Sequence, residues 1–117
     1  MNYEILKSGG IDVNDALNRF SGSNELFEKY VNKFIGEKSY TELLISMEKK
    51  DYASAENAVH SLKGVTGSLG MLSLFESCCA LLAAFRDKNE EKYIPLFNEI
   101  EHKYDEITLV IRNSIKE

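Results

Sequence analysis

The chain predicts an all-α fold: an antiparallel up-down four-helix bundle with an additional short N-terminal helix. Three observations carry that expectation. Apolar residues recur at three- and four-residue spacing along most of the chain, the period of one helix face. One Pro and seven Gly among 117 residues leave long segments uninterrupted. No alternating strand pattern, internal repeat or low-complexity tract occurs, and the short connections imply that neighbouring helices run antiparallel.

Residues 1–9 read as an N-terminal lead-in that Gly9-Gly10 would close, and residues 10–117 as the bundle domain. Asp12 can cap a short helix through Phe20, with Val13, Ala16, Leu17 and Phe20 on one face. Ser21-Gly22-Ser23 is a turn, and Ser23 or Asn24 can cap the next helix. Its stripe is Leu26, Phe27, Tyr30, Val31, Phe34 and Ile35, and Gly36 closes it. Lys38 to Lys50 forms a third helix with Tyr40, Leu43, Leu44 and Met47 inward. Asp51 starts a fourth, which runs towards Leu69 and stops at Gly70. A fifth holds Leu74, Cys78, Leu81 and Phe85. Asn89 is expected to cap the last, with Glu90 and Glu91 in its first turn at the positive end of the helix dipole. Pro95 would then lie inside that helix and bend it. Leu96, Ile100, Tyr104, Ile107, Val110 and Ile111 continue the stripe beyond it.

A hydrophobic fraction of 44% suits one globular domain with a modest core. A net charge of −5 and the lack of a basic run give no cationic footprint for nucleic acid. Residues 1–10 lack a signal pattern, and no apolar run approaches the roughly 20 residues that span a bilayer. The adjacent Cys78-Cys79 suits neither a disulfide framework nor a Cys-x-x-Cys site. These features predict a soluble cytoplasmic protein, with neither nucleic acid nor membrane as partner. The opening Met1 favours a free-standing chain over a piece of a larger kinase.

His60 is the most informative residue. At about 100° per residue, Ala55, Ala58, Leu62, Val65 and Leu69 form one apolar stripe, and His60 projects almost opposite its centre. Glu56, Gly64 and Gly67 fall on the His60 side, and Lys63 lies on the flank one turn on. Gly inside a helix costs roughly 1 kcal/mol relative to Ala. Two glycines on an exposed face, where the core does not need them, imply close approach by another backbone. A helix that ends at Gly64 is the alternative, but apolar spacing continues through Val65 and Leu69. A neutral imidazole is a nucleophile near neutral pH, and Lys63 can offset phosphate charge.

The run His60-Ser61-Leu62-Lys63-Gly64, followed by Val65-Thr66-Gly67-Ser68-Leu69-Gly70, resembles the signature of the histidine-containing phosphotransfer (HPt) domain family. Gly10-Ile11-Asp12 with Arg19-Phe20 is similar to the family's opening, and Leu74, Cys78 and Leu81 to its following helix. The resemblance spans most of the chain. It implies His60 as phospho-acceptor, Lys63 as phosphate partner and Gly64 as the gap over which a receiver domain docks. It implies response-regulator receiver domains and a hybrid histidine kinase as partners. It also implies no cofactor in this chain and no ATP site, with Mg²⁺ held by the receiver. No phosphate-binding Gly-rich motif is present in the sequence. One departure stands out. The family usually carries Glu or Gln where this chain has Leu82, a side chain that can hydrogen-bond the imidazole. Phe75, Cys79, Leu82 and Arg86 share one flank of that helix. Phe75 reads as core, and Leu82 with Cys79 as a possible docking rim.

The reading from sequence is therefore a monomeric phosphorelay intermediate without kinase activity of its own. An adaptor that binds a protein through Glu56, Gly64, Gly67 and His60 is the first rival. A hydrolase with His60 as general base is the second, and Glu56 is the only carboxylate on that face. His102, among Glu101, Lys103 and Asp105, reads as a solvated helix residue, and Cys78 as a small core residue. The pairs Glu90-Glu91 and Asp105-Glu106 lack the spacing of a metal-binding bundle, so no metal site is expected.

Overall fold

The computed structural model describes residues 1–116. Its helices are α1 (Tyr3–Ser8), α2 (Val13–Arg19), α3 (Asn24–Lys33), α4 (Lys38–Glu48), α5 (Tyr52–Ser68), α6 (Leu72–Arg86) and α7 (Tyr93–Ile115). Short 3-10 turns at Phe34–Gly36 and Glu90–Lys92 precede α4 and α7. The four long helices, α4 to α7, pack in sequence order as an up-down bundle. The only pairing of strand type among the described residues is an isolated bridge between Ile11 and Met71. None of these helices is long and apolar enough to cross a membrane.

Local chemistry explains the boundaries. Asp12, Ser23 and Asp51 accept backbone hydrogen bonds at the starts of α2, α3 and α5, as side-chain caps should. The Asp51 carboxyl also accepts from the Ser54 hydroxyl at 2.7 Å. These Ser54 contacts hold it below the usual carboxylate value. At the other end of α5 the Met71 amide donates to the Thr66 carbonyl at 2.9 Å, and the Gly70 amide to Gly67 at 3.3 Å. That is a Schellman turn with Gly70, at φ 71°, in the left-handed position.

Four expectations need correction. Residues 1–9 are not a bare lead-in. Asn2 caps α1 through its side chain, Leu6 is buried, and α1 packs on α7. The hydrophobic content of six residues gave too little periodicity to reveal it. Asn89 makes no side-chain cap, and α7 begins only after the 3-10 turn. Pro95 is thus the third residue of α7. It sits among the first four positions, whose N–H groups have no partner in the helix, so it breaks no bond and gives no reason for a bend. The α3 stripe is also narrower than expected: Phe27, Val31 and Phe34 are buried, whereas Leu26 and Tyr30 are exposed.

The core is aliphatic along most of α5 and α6, and aromatic in two places: around Tyr52, Phe85 and Tyr93, and where α7 meets α4 and the turn after α3. Tyr40 and Tyr104 stack with centroids 3.6 Å apart. The Tyr104 hydroxyl donates to the Phe34 and Ile35 carbonyls at 2.9 and 2.7 Å. The Phe34 carbonyl also accepts from the Glu37 amide at 3.2 Å, and the one phenol ties the 3-10 turn after α3 to the middle of α7. Tyr104→Phe should destabilise the chain by about 1–3 kcal/mol in urea melts, with the fold retained. Burial is the main cause that raises both phenols above their ordinary value of 10.0. Between that value and the raised one, the folded state holds protons that the unfolded state has released. Stability should therefore fall as pH rises above about 10. Urea midpoints between pH 8 and 11 should show that loss, and Tyr40→Phe should make it shallower.

Candidate functional site

The site is built on α5. His60 is exposed and occupies the middle of the helix, far from either end. Ala55, Ala58, Val59, Leu62, Thr66 and Leu69 are buried behind it. Sequence reasoning missed Val59 and Thr66. Thr66 looks polar, but its hydroxyl donates back to the Leu62 and Lys63 carbonyls at 2.9 and 3.0 Å. That satisfies a buried hydroxyl inside its own helix. It also shows that α5 runs through Gly64 and Gly67 as a continuous helix.

Among the described residues no ion pair or hydrogen bond engages the His60 imidazole, whereas His102 pairs with Glu106 at 3.2 Å. His102 is thus a solvated helix residue with a carboxylate neighbour. Lys63 and Glu56 are half-buried on the flank of α5 beside His60. Side chains on a helix lean towards its N-terminus. The imidazole therefore leans over the turn that carries Glu56, and Lys63 leans back over the turn that carries His60.

The two glycines have different reasons. A Cβ at Gly64 would meet nothing within 4 Å, so the space beside His60 is open. A Cβ at Gly67 would lie 3.1 Å from two ring carbons of Phe75. Gly67 is therefore small because α6 packs on it, and its lack of a side chain does not need a partner to explain it. Phe75 is half-buried rather than fully core. Leu82 is 2% exposed and belongs to the core, so its expected place on a docking rim is wrong. An apolar side chain at the α5–α6 seam is drawn inward where a polar one would seek the surface. Cys79 stays half-buried on the same flank, and the buried Cys78 thiol is pushed up to about 12, chiefly by desolvation.

On the other side of Gly64 lies a groove of about 660 Å³ between α5 and the N-terminal helices. Val65, Leu69, Phe20 and Tyr30 supply its apolar lining, and Lys33 and Glu37 its charges. Phe20 and Tyr30 stack with centroids 5.5 Å apart and planes 15° off parallel. These aromatics were read as core from their helical spacing. Phe20 still packs against the core, whereas Tyr30 is exposed, and the signal for Tyr30 was the α3 stripe, which is wider than one buried face needs.

The model of the Hpt domain family matches residues 27–108. The chain belongs to the Hpt domain family. The match includes His60, Lys63, Gly64 and the whole of α4 to α6, but not the opening Gly10-Ile11-Asp12. No curated protein and no solved structure gives a significant match. Hpt domains serve histidine phosphotransfer in phosphorelay signalling, as carriers rather than kinases, and interact with receiver domains and histidine kinases.

The separate reasons for the two glycines are testable in thermal or urea unfolding. Gly64→Ala should stabilise this Hpt domain by about 1 kcal/mol, because a better helix former enters open space. Gly67→Ala should gain less, since the Phe75 ring must shift to admit the methyl group. Equal gains would remove the Phe75 contact as the reason for Gly67.

Proposed function

We propose that His60 is the phospho-acceptor of this Hpt domain, which relays a phosphoryl group between receiver-domain aspartates of two-component proteins. The observation that carries the reading is an uncommitted imidazole in mid-helix, beside open space at Gly64, inside the matched region. One neutral ring nitrogen attacks the phosphorus of an aspartyl phosphate. The N–P bond forms, the acyl P–O bond breaks, and the aspartate leaves as its carboxylate. Lys63 offsets charge on the phosphoryl group in transit. Catalysis is then mainly positioning, with Mg²⁺ and the acidic pocket on the receiver and no cofactor in this chain.

Docking completes the site. The receiver backbone approaches over Gly64, while the groove beside it accepts an apolar surface between Phe20, Tyr30 and Leu69. Glu56 and Cys79 lie on the opposite flank of His60, at the edge of the contact. The domain acts as a cytoplasmic monomer, fed by a hybrid histidine kinase through its receiver.

Labelled phosphorylated receiver, mixed with the purified chain, tests this reading. The wild type should gain acid-labile, alkali-stable phosphate. His60→Gln should gain none while keeping its helical circular dichroism, because no core contact is lost. Gly64→Gln should slow transfer yet not lower stability, since its side chain fills the approach path. Full labelling of His60→Gln would move the acceptor elsewhere. Receiver binding without any label on the wild type would favour an adaptor.

A further inference from the structure

We propose that Arg86 is a second phosphate-binding cation, which reaches the phosphoryl group on His60 from the facing helix. The inference rests on His60 as the acceptor and adds a residue to that site.

The register of α5 against α6 carries it. Phe75 packs on the Cα of Gly67, which fixes the level at which the two antiparallel helices face one another. Counting away from that contact in opposite directions sets Leu82 level with His60, and Arg86 level with Glu56. Arg86 is about three full turns along α6 from Phe75, so it returns to the same flank. Gly67 in turn is about two turns from His60 on α5, on the same face. Both side chains lean towards their own N-termini. In antiparallel helices those directions oppose. The imidazole leans towards the level of Arg86, and the guanidinium leans towards the level of His60. Helix axes about 8–10 Å apart keep that convergence within reach of an extended arginine.

Chemistry then narrows the choice. Leu82 is buried and brings no polar atom to the phosphoryl group. Arg86 is exposed and enters no ion pair among the described residues. Glu56 stands opposite it, but no ion pair joins the two, so the guanidinium is uncommitted before phosphorylation. A planar fork of donors suits the equatorial phosphoryl oxygens, and Lys63 approaches from the other direction along α5. Arg86 also lies in the last turn of α6, where any cation favours the helix dipole. Arg86→Lys keeps that charge and so separates the two roles.

Potassium phosphoramidate as phosphoryl donor removes receiver docking from the test. Wild type, Arg86→Gln, Arg86→Lys and Lys88→Gln are compared by rapid-quench labelling, and by NMR of the arginine Nε–H before and after phosphorylation. Labelling of Arg86→Gln should slow about tenfold, Arg86→Lys should recover part of the rate, and Lys88→Gln should match the wild type. The Arg86 Nε–H signal should shift and exchange more slowly with solvent on phosphorylation. An unmoved Nε–H signal, or Arg86→Gln labelled at the wild-type rate, would overturn the assignment while leaving His60 as acceptor. A wild-type chain that takes no label would overturn both.

Discussion

The turn at Gly70 is the constraint on which the site depends. Its left-handed backbone ends α5 and delivers a carbonyl that accepts from the Asp12 amide at 2.8 Å. A side chain at Gly70 would run into the Asp12 carbonyl. Next to this contact, Ile11 and Met71 form the isolated bridge. The loop before α2 is thereby sewn to the loop after α5. Ile11, Val13 and Met71 are all buried there, so apolar burial reinforces the backbone pairing. The short helix α2 then has a fixed seat, and Phe20 at its end can stack on Tyr30. Without that seam the groove beside Gly64 would lose one wall.

The His60 face shows how one sequence pattern can hold two physical causes. Gly64 and Gly67 fall on the same side of α5 and look equivalent by angle. Only the position of Phe75 separates them, and Phe75 arrives from another helix. A one-dimensional pattern records that a side chain is absent, not which neighbour required it. The same limit applies to Leu82. The family resemblance aligned it with a position that faces the histidine, yet the side chain is buried. Whether it stays at the surface depends on how deeply the seam between α5 and α6 closes.

Much of the fold was legible because its signals are local. The caps Asp12, Ser23 and Asp51, the stop at Gly70 and the stripe of α6 are each decided within a turn or two of sequence. What escaped the sequence was decided at longer range or by weaker chemistry. Helix α1 is too short to show a period and owes its place to α7. Helices α4 and α6 end with Lys50 and Lys88 in left-handed conformations, at φ 56° and 55°. Lysine carries no stop signal, since a left-handed residue with a side chain is a local cost that tertiary packing overrides. Thr66 hid in the core because its hydroxyl is satisfied by its own helix rather than by a partner. At the candidate site, the side of α5 that carries His60, Lys63 and Gly64 away from the core was readable from spacing. The groove was not, because its walls come from three separate helices.

The position of His60 along α5 bears on what a carrier must do. A helix N-terminus stabilises an anion through its free N–H groups and dipole, but the effect fades within the first turn. His60 is in mid-helix, where backbone N–H groups are already bonded to carbonyls. The scaffold therefore offers a phosphoryl group no backbone cradle. Charge compensation must come from side chains at the surface, where solvent weakens each contribution. A relay has to give up what it receives, and a deep electrostatic well would trap the phosphoryl group on the imidazole. Shallow stabilisation by one or two mobile cations, completed by groups of the partner, would keep both acceptance and release within reach under the proposed assignment. Under the proposed assignment of His60 as acceptor, its exposure is the feature that would let acceptance and release share one site.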